Sequence, residues 1–339
     1  MKILVTGSAG FIAGYLVEEL LAAGHEVVGL DDVSKYGPVR HAYDDHPRYR
    51  ATVGDAKDVG LVSELLAGCD HFVAAAAIIG GISLFHERAY DLLAENERIT
   101  AAAFDAAIAA HRAGTLRKIA VVSSSMVYES ADVFPTPEGE QRRCPPPRST
   151  HGFQKLATEY FAQGAREQYG LPFTIVRPVN CIGVGEKRAR SDAEVLSGNV
   201  RLAMSHVVPD LVQKVLKGQD PLHLLGDGQQ VRHYTYGGDL ARGIRLAIES
   251  PVAENEDFNL STAQSTTVLE LAERIWRQVR GDEPPRYVCD APDPHDVRRR
   301  VPAVEKARRR LGFEATPSMA GALDEIIPWT RQPIEIGGI

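Results

Sequence analysis

A glycine-rich stretch near the N-terminus has the residue types and spacing of a phosphate-binding turn. Gly7, Gly10 and Ala13 stand three residues apart, between a short apolar run and a segment with helical periodicity. The glycines permit a tight turn and a close approach of the backbone to a pyrophosphate, and the small Ala13 lets a helix pack closely on a strand. The first N–H groups of such a helix attract anions. The stretch therefore predicts a dinucleotide-binding turn.

An acidic residue downstream of this turn bears on which dinucleotide binds. Asp31 stands 24 residues after Gly7, at the end of the second predicted strand, and Asp32 follows it. A carboxylate at that place can accept hydrogen bonds from both ribose hydroxyls, whereas it would repel the 2′-phosphate of NADP. We therefore expect NAD as the cofactor.

A histidine and a lysine one helical turn apart form a second group of residues suited to chemistry. His151 and Lys155 are at i and i+4 in a segment with helical periodicity, so both side chains lie on one helix face. An imidazole can be neutral and accept a proton near pH 7, because its ordinary pKa is about 6.5. A neutral imidazole beside an amine on one helix face is compatible with proton transfer.

Alternating strands and helices must position these residues. Apolar runs predict strands over 2–6, 25–30, 70–76, 118–123 and 173–177, and helical periodicity predicts helices over 11–23, 89–111 and 153–169. Such alternation implies an α/β fold with a doubly wound parallel Rossmann sheet and, after about residue 181, a smaller C-terminal substrate-binding lobe. We assign residues 1–180 and about 232–258 to the NAD-binding domain, and 181–231 and 259–339 to the lobe. The polar stretch 183–199 is expected to be an exposed excursion.

Composition and charge exclude several classes of protein. The chain has 38 Lys and Arg against 45 Asp and Glu, a net charge of −7, which argues against nucleic acid as a partner because phosphate binding needs a basic face. The four cysteines lie far apart, and no histidine–cysteine group has metal-ligand spacing, so we expect reduced thiols, a cytoplasmic protein and no metal. We expect neither a signal peptide nor a membrane span, because no apolar run reaches about 18 residues.

Several motifs together resemble the extended short-chain dehydrogenase/reductase family, in its NAD-dependent nucleotide-sugar epimerase/dehydratase branch, which includes UDP-glucose 4-epimerases. The resemblance covers nearly the whole chain and is more specific for the family than for the substrate. The motifs are the glycine-rich turn, Gly54-Asp55, the strand end Ala74–Ala76, Asn96, Ser123–Tyr128, Arg177-Pro178-x-Asn180 and Gly226-Asp227-Gly228-x-x-x-Arg232.

The resemblance implies three catalytic side chains. Ser124 would hydrogen-bond the reacting oxygen of the substrate, and Lys155 would lower the pKa of the base and hold the nicotinamide ribose. The base is a tyrosine in the family, but His151 stands at that position here. Three interpretations remain open: His151 is the working base of a variant enzyme, it is an inactivating change, or the helix has a different register and another residue, such as Tyr128, serves.

The residues that follow Ser124 bear on the reaction. The dehydratases of the family have an Asp-Glu pair there and the decarboxylases have a Glu, whereas this chain has Ser125 and Met126. Neither can act as an acid or base in the loss of water. We therefore expect a nucleotide-sugar 4-epimerase that oxidises C4 and returns the hydride to the other face. The alternatives are a 4,6-dehydratase and a catalytically impaired protein that binds NAD or a sugar nucleotide.

The resemblance also implies the contacts of both ligands and the oligomeric state. The residues expected to contact NAD are Gly7, Ala9, Gly10, Phe11, Ile12, Asp31, Asp32, Asp55, Ala56, Ala74, Ala75, Ala76, Asn96, Ser123, Lys155 and Pro178. The residues expected to contact the nucleotide-diphosphate sugar are Gly80, Ser125, Met126, Asn180, Val207, Arg232 and Arg298, the last representing one functional arginine among the three at 298–300. The Ala-rich helices over 89–111 and 153–169 imply a homodimer with a four-helix interface.

Overall fold

The computed structural model describes residues 1–79, 88–187, 189–190, 194–203, 206–292, 296–316 and 319–335. Within these ranges the helices are α1 (Phe11–Ala22), α2 (Val59–Leu66), α3 (Ala89–Arg112), α4 (Thr150–Tyr169), α5 (Val207–Leu216), α6 (Gly237–Glu249), α7 (Val268–Arg280), α8 (Glu305–Leu311) and α9 (Met319–Glu335). None of the helices in this described part of the chain has both the length and the apolar character of a membrane span.

The strands of the described ranges fall into a first group that ends at residue 178 and a second group beyond it. The first group is β1 (Lys2–Thr6), β2 (Glu26–Asp31), β3 (Tyr49–Val53), β4 (His71–Ala74), β5 (Lys118–Val122) and β6 (Phe173–Pro178). The second is β7 (Cys181–Ile182), β8 (Glu194–Ser197), β9 (Val200–Ala203), β10 (Leu222–Leu225), β11 (Val231–Arg232), β12 (Thr235–Tyr236), β13 (Glu256–Leu260), β14 (Thr266–Thr267), β15 (Tyr287–Asp290) and β16 (Arg299–Arg300).

Seven parallel strands form the central sheet, in the order β13-β6-β5-β4-β1-β2-β3. The chain builds outward from β1 to β3 on one side and from β4 to β13 on the other. The strand order therefore reverses between β1 and β4, which leaves a crevice at their carboxyl ends where ligands of such sheets bind. This arrangement confirms the predicted α/β fold with a doubly wound parallel sheet.

Helices cover both faces of the sheet, and β1 shows how the sequence divides between them. Ile3 and Val5 point into an apolar cluster shared with α1, α6 and α8, whereas Leu4 points into a second cluster shared with α2, α3 and α4. Successive side chains of a strand alternate between faces, so a strand that is buried on both faces must be apolar throughout. This explains the continuous apolar runs that marked the strands in the sequence.

The C-terminal lobe has its own apolar cluster, which joins α5, α7 and α9. Short strand pairs surround these helices: β10 with β15, and β11 between β14 and β16. The stretch expected to be an exposed excursion contains β8, which forms an antiparallel hairpin with β9. Pairing with β9 was not visible in the sequence because the segment is polar and short.

The chain returns from the lobe to the sheet twice. Helix α6 packs against α1, and β13 pairs with β6 through Leu260, so the return extends slightly past the predicted residue 258. Ala307, Leu311 and Phe313 also lie in the cluster beneath the sheet, although the sequence analysis assigned 259–339 to the lobe. They lie there because α8 covers the edge strand β13.

Candidate functional site

The glycine-rich turn lies where β1 runs into α1, beside the end of β4. Gly7 has φ +74°, and a Cβ at this position would lie 2.9 Å from the Cα of Ala76. Gly10 is the N-cap of α1 and supplies no side-chain cap, and the first turn of α1 has no acidic residue. The N–H groups at Phe11 and Ile12 are therefore available to a phosphate, so the turn fits the pyrophosphate of a dinucleotide.

Asp31 lies at the end of β2, against this turn. Its Oδ2 accepts a hydrogen bond from the N–H of Ala9 at 3.0 Å, and its Oδ1 accepts one from the N–H of Val33 at 2.8 Å. Burial raises the pKa of the Asp31 carboxyl, although both hydrogen bonds favour the ionised form. Asp32 is exposed and accepts hydrogen bonds from Ser34. The contact of Asp31 and Asp32 with ribose stays a prediction.

Two side chains position the backbone at the carboxyl end of β4, on the other side of the crevice. The hydroxyl oxygen of Thr6 accepts hydrogen bonds from the N–H groups of Ala75 and Ala76, both at 3.2 Å. The amide of Asn96 accepts from the N–H of Ile78 at 2.7 Å and donates to its carbonyl at 3.0 Å. Hydrogen bonds from Thr6 and Asn96 thus hold the backbone after β4 in place. The predicted cofactor residues Ala75, Ala76 and Asn96 all take part in these hydrogen bonds.

The remaining predicted cofactor residues lie at the ends of neighbouring strands. Asp55 and Ala56 follow β3, Ala74 ends β4 and Pro178 ends β6. All of these strand ends lie on the carboxyl edge of the sheet, because its strands are parallel. Gly80, predicted to contact substrate, lies outside the described residues.

The segment after β5 carries the predicted hydroxyl group. Ser124 caps a 3-10 helix over Ser125–Tyr128, and its Oγ accepts a hydrogen bond from the N–H of Met126 at 3.2 Å. Ser124 is half-buried, whereas Ser125 and Met126 are buried. The hydroxyl of Ser123, a predicted cofactor residue, donates to Glu159 at 2.6 Å inside the protein core.

A serine cap sets the start of α4 and with it the placement of the candidate base. The Ser149 Oγ accepts from the N–H of Gly152 at 3.1 Å and donates to the Glu129 carboxylate at 2.8 Å. The helix therefore begins at Thr150, three residues before the predicted start, and includes His151 in its first turn. His151 and Lys155 are 8% and 6% exposed, so the predicted helix face is buried.

Burial and neighbouring cations decide the charge of this helix face. The Lys155 Nζ donates to the carbonyl of Val122 at 3.0 Å, and burial lowers the pKa of Lys155 to about 8. Burial, reinforced by the charges of Lys155, Arg300 and His206, lowers the pKa of His151 to about 3. His151 is therefore neutral at pH 7 and can accept a proton, but it is a weaker base than an imidazole in water.

A buried ionic network lies behind the helix face, and sequence reasoning missed it. Arg177 is fully buried, and its Nε and Nη2 each lie 2.7 Å from a different carboxylate oxygen of Glu159. Its Nη1 lies 2.8 Å from both the hydroxyl of Tyr128 and the carboxylate of Asp257. The Tyr128 hydroxyl donates in turn to the side chain of Asn259, and burial raises the pKa of Tyr128. The Tyr128 hydroxyl thus donates to Asn259 and accepts from Arg177 inside a buried network, which favours His151 over Tyr128 as the candidate base.

The predicted substrate residues of the lobe face the sheet from several elements. Asn180 follows β6 with φ +39° and donates to the carbonyl of His233 at 3.1 Å. Val207 is the first residue of α5 and is half-buried. Arg232 is buried, and its Nη2 lies 2.6 Å from the Asp296 carboxylate. These contacts position the side chains, while their contact with substrate stays a prediction.

The three consecutive arginines differ in their surroundings. The predicted Arg298 is exposed and lies 2.7 Å from the Asp227 carboxylate, and the guanidinium of Arg299 lies over the ring of Phe134. Arg300 instead lies where its charge acts on His151, and burial lowers its own pKa to about 10. A functional role for Arg298 stays a prediction, and Arg300 lines a small pocket with Ser125 and Glu129.

A histidine–glutamate pair lies at the start of α5. Nδ1 of His206 hydrogen-bonds the Glu186 carboxylate, and the charge of Glu186 raises the pKa of His206. The two residues are 20 positions apart, so no local spacing signal could have revealed the pair. His206 lies directly before α5 and contributes to the low pKa of His151.

Comparisons with known proteins agree with this geometry. The model of the NAD-dependent epimerase/dehydratase family matches residues 3–261. A UDP-glucose 4-epimerase of Lacticaseibacillus casei is 29% identical over 329 residues, 93% of this chain and 92% of that protein. The dTDP-glucose 4,6-dehydratase DesIV of Streptomyces venezuelae, solved with NAD bound, is 27% identical with a TM-score of 0.82 over 99% of this chain and 98% of that chain.

A further solved structure carries a sugar nucleotide. The UDP-glucose 4-epimerase of Thermotoga maritima, solved with UDP-glucose, is 26% identical with a TM-score of 0.79 over 98% of this chain and 100% of that chain. These relatives confirm the resemblance drawn from the motifs. Since the family model covers well over half of the sequence and the crevice between β1 and β4 fits the cofactor, this chain belongs to the NAD-dependent epimerase/dehydratase family.

Proposed function

We propose that this protein is an NAD-dependent nucleotide-sugar 4-epimerase. The observation that carries the proposal is that Lys155 of α4 donates to the carbonyl of Val122 at the end of β5, two residues before Ser124, while His151 lies one turn before Lys155 on the same helix. A hydroxyl, a proton acceptor and a buried amine are the groups that reversible oxidation of a sugar hydroxyl requires.

Each of the three side chains has a distinct part in this reaction. The neutral His151 imidazole takes the proton of the C4 hydroxyl as C4 becomes a ketone, and it returns that proton when the ketone is reduced. Ser124 donates a hydrogen bond to the C4 oxygen as charge develops on it. Lys155, fixed on the carbonyl of Val122, adds a positive field beside the base. NAD, which the turn from Gly7 to Ala13 would hold, would supply the acceptor for the C4 hydride and the donor of the same hydride once the ketone presents its other face.

The residues beside Ser124 favour epimerisation over the loss of water. Elimination needs an acid or base at the neighbouring carbons, whereas Ser125 and Met126 are buried and cannot supply one at neutral pH. Glu129 is the nearest following acid in the chain, and its Oε2 accepts two hydrogen bonds from Ser149. A 4,6-dehydratase is therefore the weaker assignment for this site.

The low pKa of His151 favours a second candidate function, an NAD- and sugar-nucleotide-binding protein with impaired turnover. A general base is most effective when its pKa is near the working pH. The pKa of His151 is about 3, so about four units separate it from pH 7. Proton transfer to His151 is correspondingly uphill, and turnover can be slow even though both ligands bind.

Turnover with defined donors separates the two functions. The protein is incubated with NAD and with UDP-glucose, UDP-galactose, UDP-glucuronate or dTDP-glucose, and products are followed by NMR. Conversion of one donor to its C4 epimer supports the epimerase, and conversion by His151→Tyr alone identifies His151 as the impairing residue. The double variant His151→Tyr, Lys155→Met is the control, since activity restored by tyrosine must still require the lysine. Tight NAD binding without turnover by either protein would reject the epimerase.

We also propose that the protein is a homodimer through α3 and α4. Large apolar side chains are exposed on these helices, including Tyr90 at 77%, Phe153 at 48% and Tyr160 at 56%. Paired helices would bury them in a second copy. Light scattering should give twice the chain mass, and Tyr160→Lys should lower it, whereas Leu196→Lys, at an exposed leucine of β8, should not. A monomeric parent protein at high concentration would reject the dimer.

A further inference from the structure

We propose that Arg300 binds a carboxylate group on the sugar, so that the preferred substrate is a nucleotide-linked hexuronate rather than a neutral hexose. This inference rests on the proposed function in one respect only, namely that the ligand of the cleft is a sugar nucleotide. It adds a specificity residue to the site and a chemical class to the substrate.

Strand pairing places Arg300 beside Arg232. Strand β16 pairs in parallel with β11, and this register sets Arg300 opposite Arg232. Two adjacent guanidinium groups repel each other, and Arg232 contributes to the low pKa of Arg300. The Asp296 carboxylate lies 2.6 Å from Arg232 and offsets its charge. The two arginines and Asp296 together therefore keep one net positive charge, that of Arg300.

Unlike Arg298, Arg300 forms no ion pair with any residue that the structure describes. Arg298 is paired with Asp227, and Arg299 lies 4.8 Å from the centre of the Phe134 ring. The Nε of Arg300 is buried, and no atom of the described residues accepts a hydrogen bond from it. A buried donor without an acceptor is destabilising, especially on a charged group, unless a ligand supplies the acceptor.

The surroundings of Arg300 indicate which part of the ligand supplies that acceptor. Arg300 lines a small pocket together with Ser125 and Glu129, which follow Ser124 in the chain. Ser125 follows Ser124, the residue predicted to hydrogen-bond the reacting oxygen, so an anion held in this pocket would lie on the sugar side of the site. Asp296 already offsets the charge of the adjacent Arg232, and we assign the anion at Arg300 to a substituent of the sugar rather than to the diphosphate.

A carboxylate matches the chemistry of this pocket. The planar guanidinium fork binds carboxylates in a bidentate manner, and the hydroxyl of Ser125 adds a further donor. Glu129 is the acid in the pocket, and its charge partly offsets that of Arg300. Its Oε2 accepts hydrogen bonds from Ser149, and Glu129 and Arg300, both described residues, form no ion pair with each other. The guanidinium is therefore left to an incoming carboxylate.

Calorimetric titration of the NAD-loaded protein tests the inference. Free UDP, dTDP and GDP are ranked first, and the hexose and hexuronate conjugates of the tightest nucleotide are then compared. The parent protein should bind the hexuronate at least tenfold more tightly than the hexose, as expected for a charge-assisted hydrogen bond. Arg300→Gln should remove that preference while leaving the affinities for free nucleotide and hexose within about twofold.

Control variants keep the outcomes separate. Arg309→Gln removes the same charge from an exposed position on α8 and should change no affinity, and Arg300→Lys should retain only part of the preference because it lacks the fork. Unchanged NAD affinity verifies that each variant is folded. Equal weakening of free nucleotide, hexose and hexuronate by Arg300→Gln would assign Arg300 to the diphosphate and overturn the inference, as would the absence of any hexuronate preference in the parent. A hexuronate preference without turnover would support the inference and reject the proposed epimerase.

Discussion

Replacing His151 by glutamine should make the protein less sensitive to acid. The imidazole is buried with a native pKa of about 3, against about 6.5 in an unfolded chain. The His151 imidazole is therefore protonated below about pH 6.5 in the unfolded chain but only below about pH 3 in the native protein. Stability from this group is complete above pH 6.5 and is lost as the pH falls toward 3, with a slope of about 1.36 kcal/mol per pH unit.

The size of the effect follows from the two pKa values. Between pH 7 and pH 5 the parent should lose about 2 kcal/mol through His151, since pH 5 lies about 1.5 units below the unfolded pKa. Urea unfolding at both pH values should show that His151→Gln loses about 2 kcal/mol less than the parent. His71→Gln is a useful comparison, because burial lowers the pKa of His71 to about 4. The parent should therefore lose a similar amount of stability through His71 between pH 7 and pH 5, and His71→Gln should avoid that loss.

The result that refutes this reasoning is an equal loss of stability in the parent and in His151→Gln. His151 would then be protonated or solvated in the native protein, and it could not be the neutral proton acceptor of the proposed reaction. The same variant tests catalysis directly, because removal of a general base should lower kcat by about 10²–10⁴.

Three further substitutions test other parts of the site. Lys155→Met keeps the buried aliphatic length but loses the donor to the Val122 carbonyl, so turnover should fall at least a hundredfold, measured by product NMR, with the fold retained by circular dichroism. Glu159→Gln removes the bidentate carboxylate of the buried Arg177, which keeps only the ion pair with Asp257, and should lower the free energy of unfolding by about 1.5–3 kcal/mol in urea; a loss below about 1 kcal/mol would contradict the network's role. Asp31→Asn removes the charge that disfavours a 2′-phosphate, so fluorescence titration should show the preference for NAD over NADP reduced about tenfold or more; an unchanged preference would show that Asp31 does not select the cofactor.

Much of the NAD-binding half could be predicted because its signals are local. The turn from Gly7 to Ala13 and the acid Asp31 each follow a strand directly, and a buried parallel strand must be apolar along its whole length. Elements with weaker patterns were not predicted. Strand β3 is an edge strand with mostly exposed or half-buried residues, and helix α2 is only eight residues long. Neither element therefore produces a clear periodicity in the sequence.

The start of α4 shows how a distant contact overrides local periodicity. Apolar spacing predicted a helix from Phe153, but the cap at Ser149 moves the start to Thr150. That cap is held by Glu129, which lies 20 residues earlier in the chain. The three added residues include the first turn that carries His151, so this contact determines the placement of the candidate base.

The sequence by itself determined the family, the sheet and the identities of Ser124, His151 and Lys155, because motif spacing and strand patterns are properties of short segments. Only the tertiary structure decided what these groups can do. A pKa depends on burial and on charges that arrive from other elements, as Arg300 and His206 do around His151. Arg298 and Arg300 are identical in side-chain type, but the tertiary structure leaves Arg298 on the surface against Asp227, whereas the pairing of β16 with β11 sets Arg300 opposite Arg232 with its Nε buried.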